Sequence, residues 1–208
     1  MTAPNTSATG GFLQPTSPPA LEDDALAIAL QATVAGITGI DGTLVRPRWQ
    51  ATPPQQPEAQ VDWCGIGVLN EEPEGNMVMQ HDPSGDGFSV SYQNVILEVM
   101  ASFYGPNAGG YANILREGLL VTQNRDAMKA LNLNLVGEPG GTKKAPVMVN
   151  NRWLNRTDIS FRIRHLITRT WAIENIIAAG GTIYQQQGSS AGEVEASQPF
   201  LVTEDSQS

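Results

Sequence analysis

Leu26, Ala29, Leu30, Val34 and Ile37, with Thr33 among them, recur at the three- and four-residue steps of one helical face. This stripe predicts a first helix with one buried side. Glu22, Asp23 and Asp24 fall in its first turn, where carboxylates meet the positive end of the helix dipole, and Ser17-Pro18-Pro19 precedes it. Gly36 or Gly39 can end it. The acidic triplet reads as helix-end electrostatics rather than as a metal site.

Downstream the step changes to two. Residues 44–49 read as a short strand, held to a sheet margin because Pro47 cannot donate to a ladder. Residues 61–69 form a second candidate, weakened by Gly65 and Gly67. Residues 76–81 and 87–92 flank the turn formers Asp82-Pro83-Ser84-Gly85-Asp86 and predict a hairpin. Val95, Leu97, Val99, Ala101 and Phe103 then alternate with Ile96, Glu98, Met100 and Ser102, whereas Phe88, Val90 and Tyr92 sit on the opposite parity. A bulge near Gln93-Asn94, or burial on both faces, would account for that switch.

Gly105-Pro106-Asn107 breaks the strand and is expected to cap a second helix over residues 108–131, with Asn124-Arg125-Asp126 as its point of interruption. Leu131, Leu133 and Leu135 alternate with Asn132 and Asn134 as a short strand; residues 137–144 read as a loop and 146–150 as a further strand. Ile159, Phe161, Ile163, Ile167, Trp171 and Ile173 share one parity, and Asp158, Ser160, Arg162, Arg164, Thr168 and Thr170 the other. That is a half-buried strand with an apolar face and a basic polar face.

These elements predict an α+β fold over residues 20–185: one domain, a mostly antiparallel twisted sheet of five or six strands packed against two helices. Residues 1–19 are rich in Pro, Thr, Ser and Gly, and residues 186–208 carry four acids and no base. Neither end buries enough apolar surface to offset its ordering entropy. Both read as flexible arms, ordered by a partner through Phe12-Leu13 or Phe200-Leu201-Val202.

Composition narrows the classes. Only 16% of residues are charged, against about 25% in an average domain, and 21 glycines and 14 prolines imply many turns around one core. The net charge is −9, unevenly spread. Residues 1–100 hold 12 acids and only Arg46 and Arg48 as bases, whereas residues 101–208 hold nine acids and ten bases. Net acidity argues against adhesion to nucleic acid, which Lys and Arg drive by displacing counterions. Cys64 is the only cysteine, which excludes an intramolecular disulfide and a multi-cysteine zinc site. No apolar run approaches the ~20 residues of a membrane helix, and no basic-then-apolar leader is predicted.

Motifs for catalysis are missing: GxxxxGK, GxGxxG, GxSxG and HExxH do not occur. The glycine-rich stretch 137–144 lacks phosphate-loop spacing and precedes no helix. His81 falls at the predicted hairpin turn. His165 interrupts an apolar strand face, as a hydrogen-bonded core histidine or one displaced by a bulge. No catalytic, cofactor-binding or metal-binding residue is expected, and no cofactor. Arg152, Arg156, Arg162, Arg164 and Arg169 instead place five bases within 18 residues against one acid, Asp158. Three readings stay open: a solvated strand face, an interface pairing these arginines with the acidic half of another copy, or nucleic-acid binding. Phe200, Leu201 and Val202 join the arginines as candidate interface residues.

Residues 92–184 resemble the neck and tail-terminator proteins of tailed bacteriophages, in particular neck terminators of contractile-tailed phages. The likeness lies in order: a strand ending Ser102-Phe103-Tyr104-Gly105-Pro106-Asn107-Ala108, the helix Ala112-Asn113-Ile114-Leu115-Arg116-Glu117-Gly118-Leu119, then Asn151-Arg152-Trp153-Leu154-Asn155-Arg156-Thr157-Asp158-Ile159 and a long strand ending Thr168-Arg169-Thr170-Trp171. The resemblance implies a non-enzymatic virion protein forming a ring, commonly of six subunits, at the head–tail junction. Such a ring closes the tail tube, joins it to the head connector or adaptor, and lets DNA pass without specific binding. Implied partners are further copies of the chain, the connector, the tube protein and, in a contractile tail, the sheath; assembly takes place in the bacterial host cytoplasm, with no membrane. Alternative readings are a head-completion adaptor or tail-tube protein of the same particle, or, from another class, an enzyme or small-molecule-binding module.

Overall fold

The computed structural model describes residues 5–50, 52, 54–149, 151–176, 178–185 and 196–203, the last two segments through their backbone. The fold is α+β. Contacts divide it into two compact units.

The larger unit comprises Ser17–Met79 and Val90–Arg169. Helix α1 (Asp23–Thr38) buries Leu26, Ala29, Leu30, Val34 and Thr38, so the apolar stripe is its inner face. Gly39 ends it in the left-handed region at φ 74°, its N–H bonding Ala35 O, where a side chain would be strained. After a 3-10 turn (Gly42–Leu44) the strand β1 (Val45–Pro47) pairs in parallel with β2 (Trp63–Pro73). The sheet then runs β1-β2-β4-β9-β5, with β4 (Phe88–Tyr104), β9 (Arg156–Trp171) and β5 (Leu133–Val136); β3 (Val78–Asp82) also pairs with β4, and β6 (Lys143–Lys144) with β9. The pairs β2–β4, β5–β9 and β6–β9 are antiparallel, in contrast to β1–β2. Pro47 thus lies in an edge strand, as its missing N–H requires.

Helices cover one face of this sheet. Val45, Cys64, Ile66, Leu97, Val99, Ala101, Phe103, Ile159, Phe161 and Ile163 point toward them and form one core with α1 and with Ala112 and Leu115 of α2 (Ala108–Gly118). The alternation of β9 is unbroken: 157, 159, 161, 163, 165 and 167 are all buried, and His165 takes its place in the core at 2% exposure. Its Nδ1 lies 3.3 Å from Asn132 O.

Two local expectations are corrected. No parity switch occurs in β4: apart from half-buried Gln93 the odd positions are buried, with Ser89 and Ser91 occupying the inward sites that the apolar pattern left out. The register shift lies instead in β2, between Val68 and Asn70. The second helix is also two: α2, then α3 (Thr122–Lys129), separated at residues 119–121 rather than at Asn124-Arg125-Asp126, which lies inside α3. Gly118, the last residue of α2, lies so close to α1 that a Cβ there would clash with Ile37 Cγ2. Leu119 is fully buried, and Asn124 Nδ2 donates to Gly118 O at 2.9 Å, closing the end of α2.

Asn107 occupies the N-cap of α2 without a side-chain cap bond. Its N–H and Nδ2 both donate to the Asp62 carboxylate at 2.8 Å, while Gly105 adopts φ 109° where a Cβ would lie 2.5 Å from Asp62 Oδ1. The Tyr104-Gly105-Pro106-Asn107 turn is therefore shaped around Asp62. A separate hairpin, β7 (Val147–Val149) with β8 (Arg152–Leu154), joins β6 to β9.

The smaller unit comprises the described residues of Met1–Thr16, Gln80–Ser89 and Thr170–Ser208. Ser7 N and Thr16 N bond Ala172 O and Thr170 O, and Pro15 bridges to Trp171. Asn175 fastens the turn after β3: its Nδ2 donates to Pro83 O and Gly85 O, and its Oδ1 lies 2.9 Å from His81 Nε2. The ribbon β10 (Ala178–Gln185) with β11 (Ala196–Thr203) sets Phe200 opposite Gly181 and Leu201 opposite Gly180. The side chains of Phe200, Leu201 and Val202 lie outside the described residues.

Candidate functional site

The sheet face away from the helices in the larger unit carries the polar chemistry. Gly65 and Gly67 of β2 leave it without side chains where Arg48 crosses; a Cβ on Gly67 would come 3.1 Å from Arg48 Cβ. Across this gap Arg48 Nη2 donates to Ser102 Oγ, which in turn donates to Asp158 Oδ1. Arg156 Nε donates to the same oxygen at 2.8 Å. Ser102 is thus wholly buried although it faces away from the core. Beside it, Trp63 and Tyr104 stack at 4.1 Å and 7°, with Arg46 lying over Trp63 at 5.8 Å and Arg156 over Tyr104 at 5.7 Å. Cation–π contacts of this kind tie β1, β2, β4 and β9 together laterally.

The arginines singled out in sequence divide into two groups. Arg156 pairs with Asp158; Arg164 holds Glu74 with both Nε and Nη2, the latter at 2.5 Å; and Arg169 Nη2 reaches Glu22 at 2.5 Å. Two of these acids belong to the acidic first half, so the charge asymmetry along the chain is partly cancelled inside one molecule. The Arg164 hydrogen bonds hold the Glu74 carboxyl below its ordinary value. Arg152 and Arg162 are exposed and make no ion pair among the described residues.

Sequence reasoning missed Arg46, Arg48, Trp63 and Tyr104. A signal was present: arginines at a two-residue spacing in and just after a short edge strand, followed by glycines at the same spacing in the next strand. Arg46 lies opposite Gly65 in the register, and large side chains need bare neighbours there.

Burial dominates the Cys64 thiol and pushes it well above its ordinary value, leaving it protonated and unreactive at neutral pH. Among the described residues no group of three or more His, Cys, Asp or Glu could hold a metal ion, and no helix is long and apolar enough to cross a membrane. The geometry on this face makes salt bridges, stacks and strand ties. What it leaves exposed are Arg152, Arg162 and large apolar side chains such as Trp49 and Trp153.

Comparison with known proteins agrees with a structural reading. No curated protein matches the sequence. The family model described as phage neck terminator protein matches residues 24–187, from the first turn of α1 past the end of β10. With well over half of its length matched, the chain belongs to the phage neck terminator family, whose members are structural proteins of the virion neck.

Proposed function

We propose that this chain is the subunit of a closed ring, of six copies, at the head–tail junction of a tailed phage. The ring ends the tail tube, joins it to the head connector and leaves a lumen for DNA. The family match over residues 24–187 carries this reading. Exposed Arg152 and Arg162 support it, since exposed arginines favour bidentate contact with carboxylates of another chain. The net charge of −9 supports a lumen wall neutral to acidic, over which phosphates slide without sticking. Assembly in the host cytoplasm, and contact with a sheath in a contractile tail, belong to the same reading.

The mass of the purified full-length chain in solution, read across a concentration series, tests closure. A ring stops at one discrete mass near six subunits. Growth without limit into tubes would favour a tail-tube protein, and a monomer at every concentration would contradict self-assembly.

A further inference from the structure

The two edges of the seven-stranded sheet differ in chemistry. At one, β1 pairs with only three residues of β2, Cys64, Gly65 and Ile66, and Arg48 N adds a bond to Ile66 O, whereas β2 continues to Pro73. Beyond Ile66 the outer side of β2 has no strand partner among the described residues, Val68 O accepting instead from Trp49 Nε1 at 3.1 Å. An open sheet edge is a template for another chain. Between this edge and α1 runs a groove of about 660 Å³ bordered by Asp23, Asp24, Ile28, Trp49, Val68 and Glu71. Ile28 is 61% and Trp49 73% exposed. Arg48, which also borders the groove, spends its guanidinium on Ser102. The groove is therefore apolar in its floor and acidic at its rim.

At the opposite edge β6 exposes Lys143 and Lys144, and the chain passes from there into the β7–β8 hairpin. Met148 and Trp153 face each other across that hairpin, 58% and 69% exposed. Arg152 is exposed beside them; the hairpin itself carries no acid, and Glu58 is the one acid bordering the cleft that Arg152 and Trp153 line among the described residues. Trp, Met and Arg are the residues that interface cores collect.

We propose that the β7–β8 hairpin of one copy seats in the α1–β2 groove of the next. Met148 and Trp153 pack on Ile28 and Trp49, while Lys144 and Arg152 meet Asp24 and Glu71. The occupant is a second copy because the two surfaces complement each other in charge and in apolar character. They are two different patches of one chain, so the contact is heterologous, the kind that closes into rings. The inference rests on the ring reading and names the surfaces that make it.

The test uses two full-length variants, one with Asp24→Lys and Glu71→Lys in the groove, the other with Lys144→Glu and Arg152→Glu on the hairpin. Circular dichroism checks that each folds, and solution mass reads assembly. Each alone should need about tenfold or more protein to assemble, because like charges then face each other. An equimolar mixture should recover the wild-type mass, since each reversed surface finds its complement. Wild-type assembly that neither variant disturbs would overturn the hairpin–groove contact and leave the ring reading standing; a wild type that never assembles would overturn both. Should a variant fail to fold, a chain carrying Ile28→Cys and Trp153→Cys decides. Oxidation should link successive copies through these two positions, since native Cys64 is buried, and a failure to link in assembled protein would reject the contact.

Discussion

Asp158 Oδ1 receives two donors, Arg156 Nε and Ser102 Oγ, and Ser102 relays the charge of Arg48 from the neighbouring edge strand. Charge-assisted bonds of this kind are stronger than neutral ones and fix side-chain direction. Replacing Ser102 with Ala would leave an Arg48 nitrogen and the Asp158 oxygen short of a partner, and should cost about 1–3 kcal/mol, read from denaturant midpoints. Glu74 and Arg164 are more open to solvent. The Arg164 hydrogen bonds depress the Glu74 carboxyl below its ordinary 4.5 in the folded state. A depressed carboxyl stabilises the fold above its unfolded value, and that contribution is lost as pH falls through the folded one. Wild type should therefore exceed Glu74→Gln in urea midpoint at pH 7, and the gap should close as pH drops below about 4.5. A gap independent of pH would place the stabilisation outside this carboxylate. The arginines of β9 were visible in sequence as a polar face. Their partners were not, because Glu22 and Glu74 stand far away in the chain and meet them only in the tertiary fold.

At the scale of elements, strong periodicity and local turn chemistry were legible. α1 ends at Gly39, β9 alternates without a break through Ile167, and β1 sits at an edge because of Pro47. The breaks were not legible, since tertiary contacts decide them. The end of α2 is closed by Asn124 bonding Gly118 O beside Ile37 of another helix, and the inward face of β4 is continued by serines that carry no hydropathy signal. Gly118→Ala should destabilise the chain by about 1–3 kcal/mol, as overpacking does. Adding Ile37→Ala to that variant should recover part of the loss in thermal melts. Additive losses from the two changes would mean that the close approach of the helices does not constrain Gly118.

For the molecule as a whole, the resemblance noted in the sequence pointed to the family that the match over residues 24–187 establishes. The proposed assembly surface was only half legible. Arg152 could be picked out by its charge, but Trp49, Ile28, Met148 and Trp153 read as ordinary apolar positions until the fold left them exposed. Opposite charge at opposite sheet edges emerges only once β6 and β1 are known to flank the same sheet. A reconstruction of the neck of the phage particle that carries this chain tests the central claim most directly. It should show one closed ring of six copies at the head-proximal end of the tail tube, with each β7–β8 hairpin against the α1–β2 groove of its neighbour. A single isolated copy at the neck, or layers of this chain repeating along the tube, would contradict it.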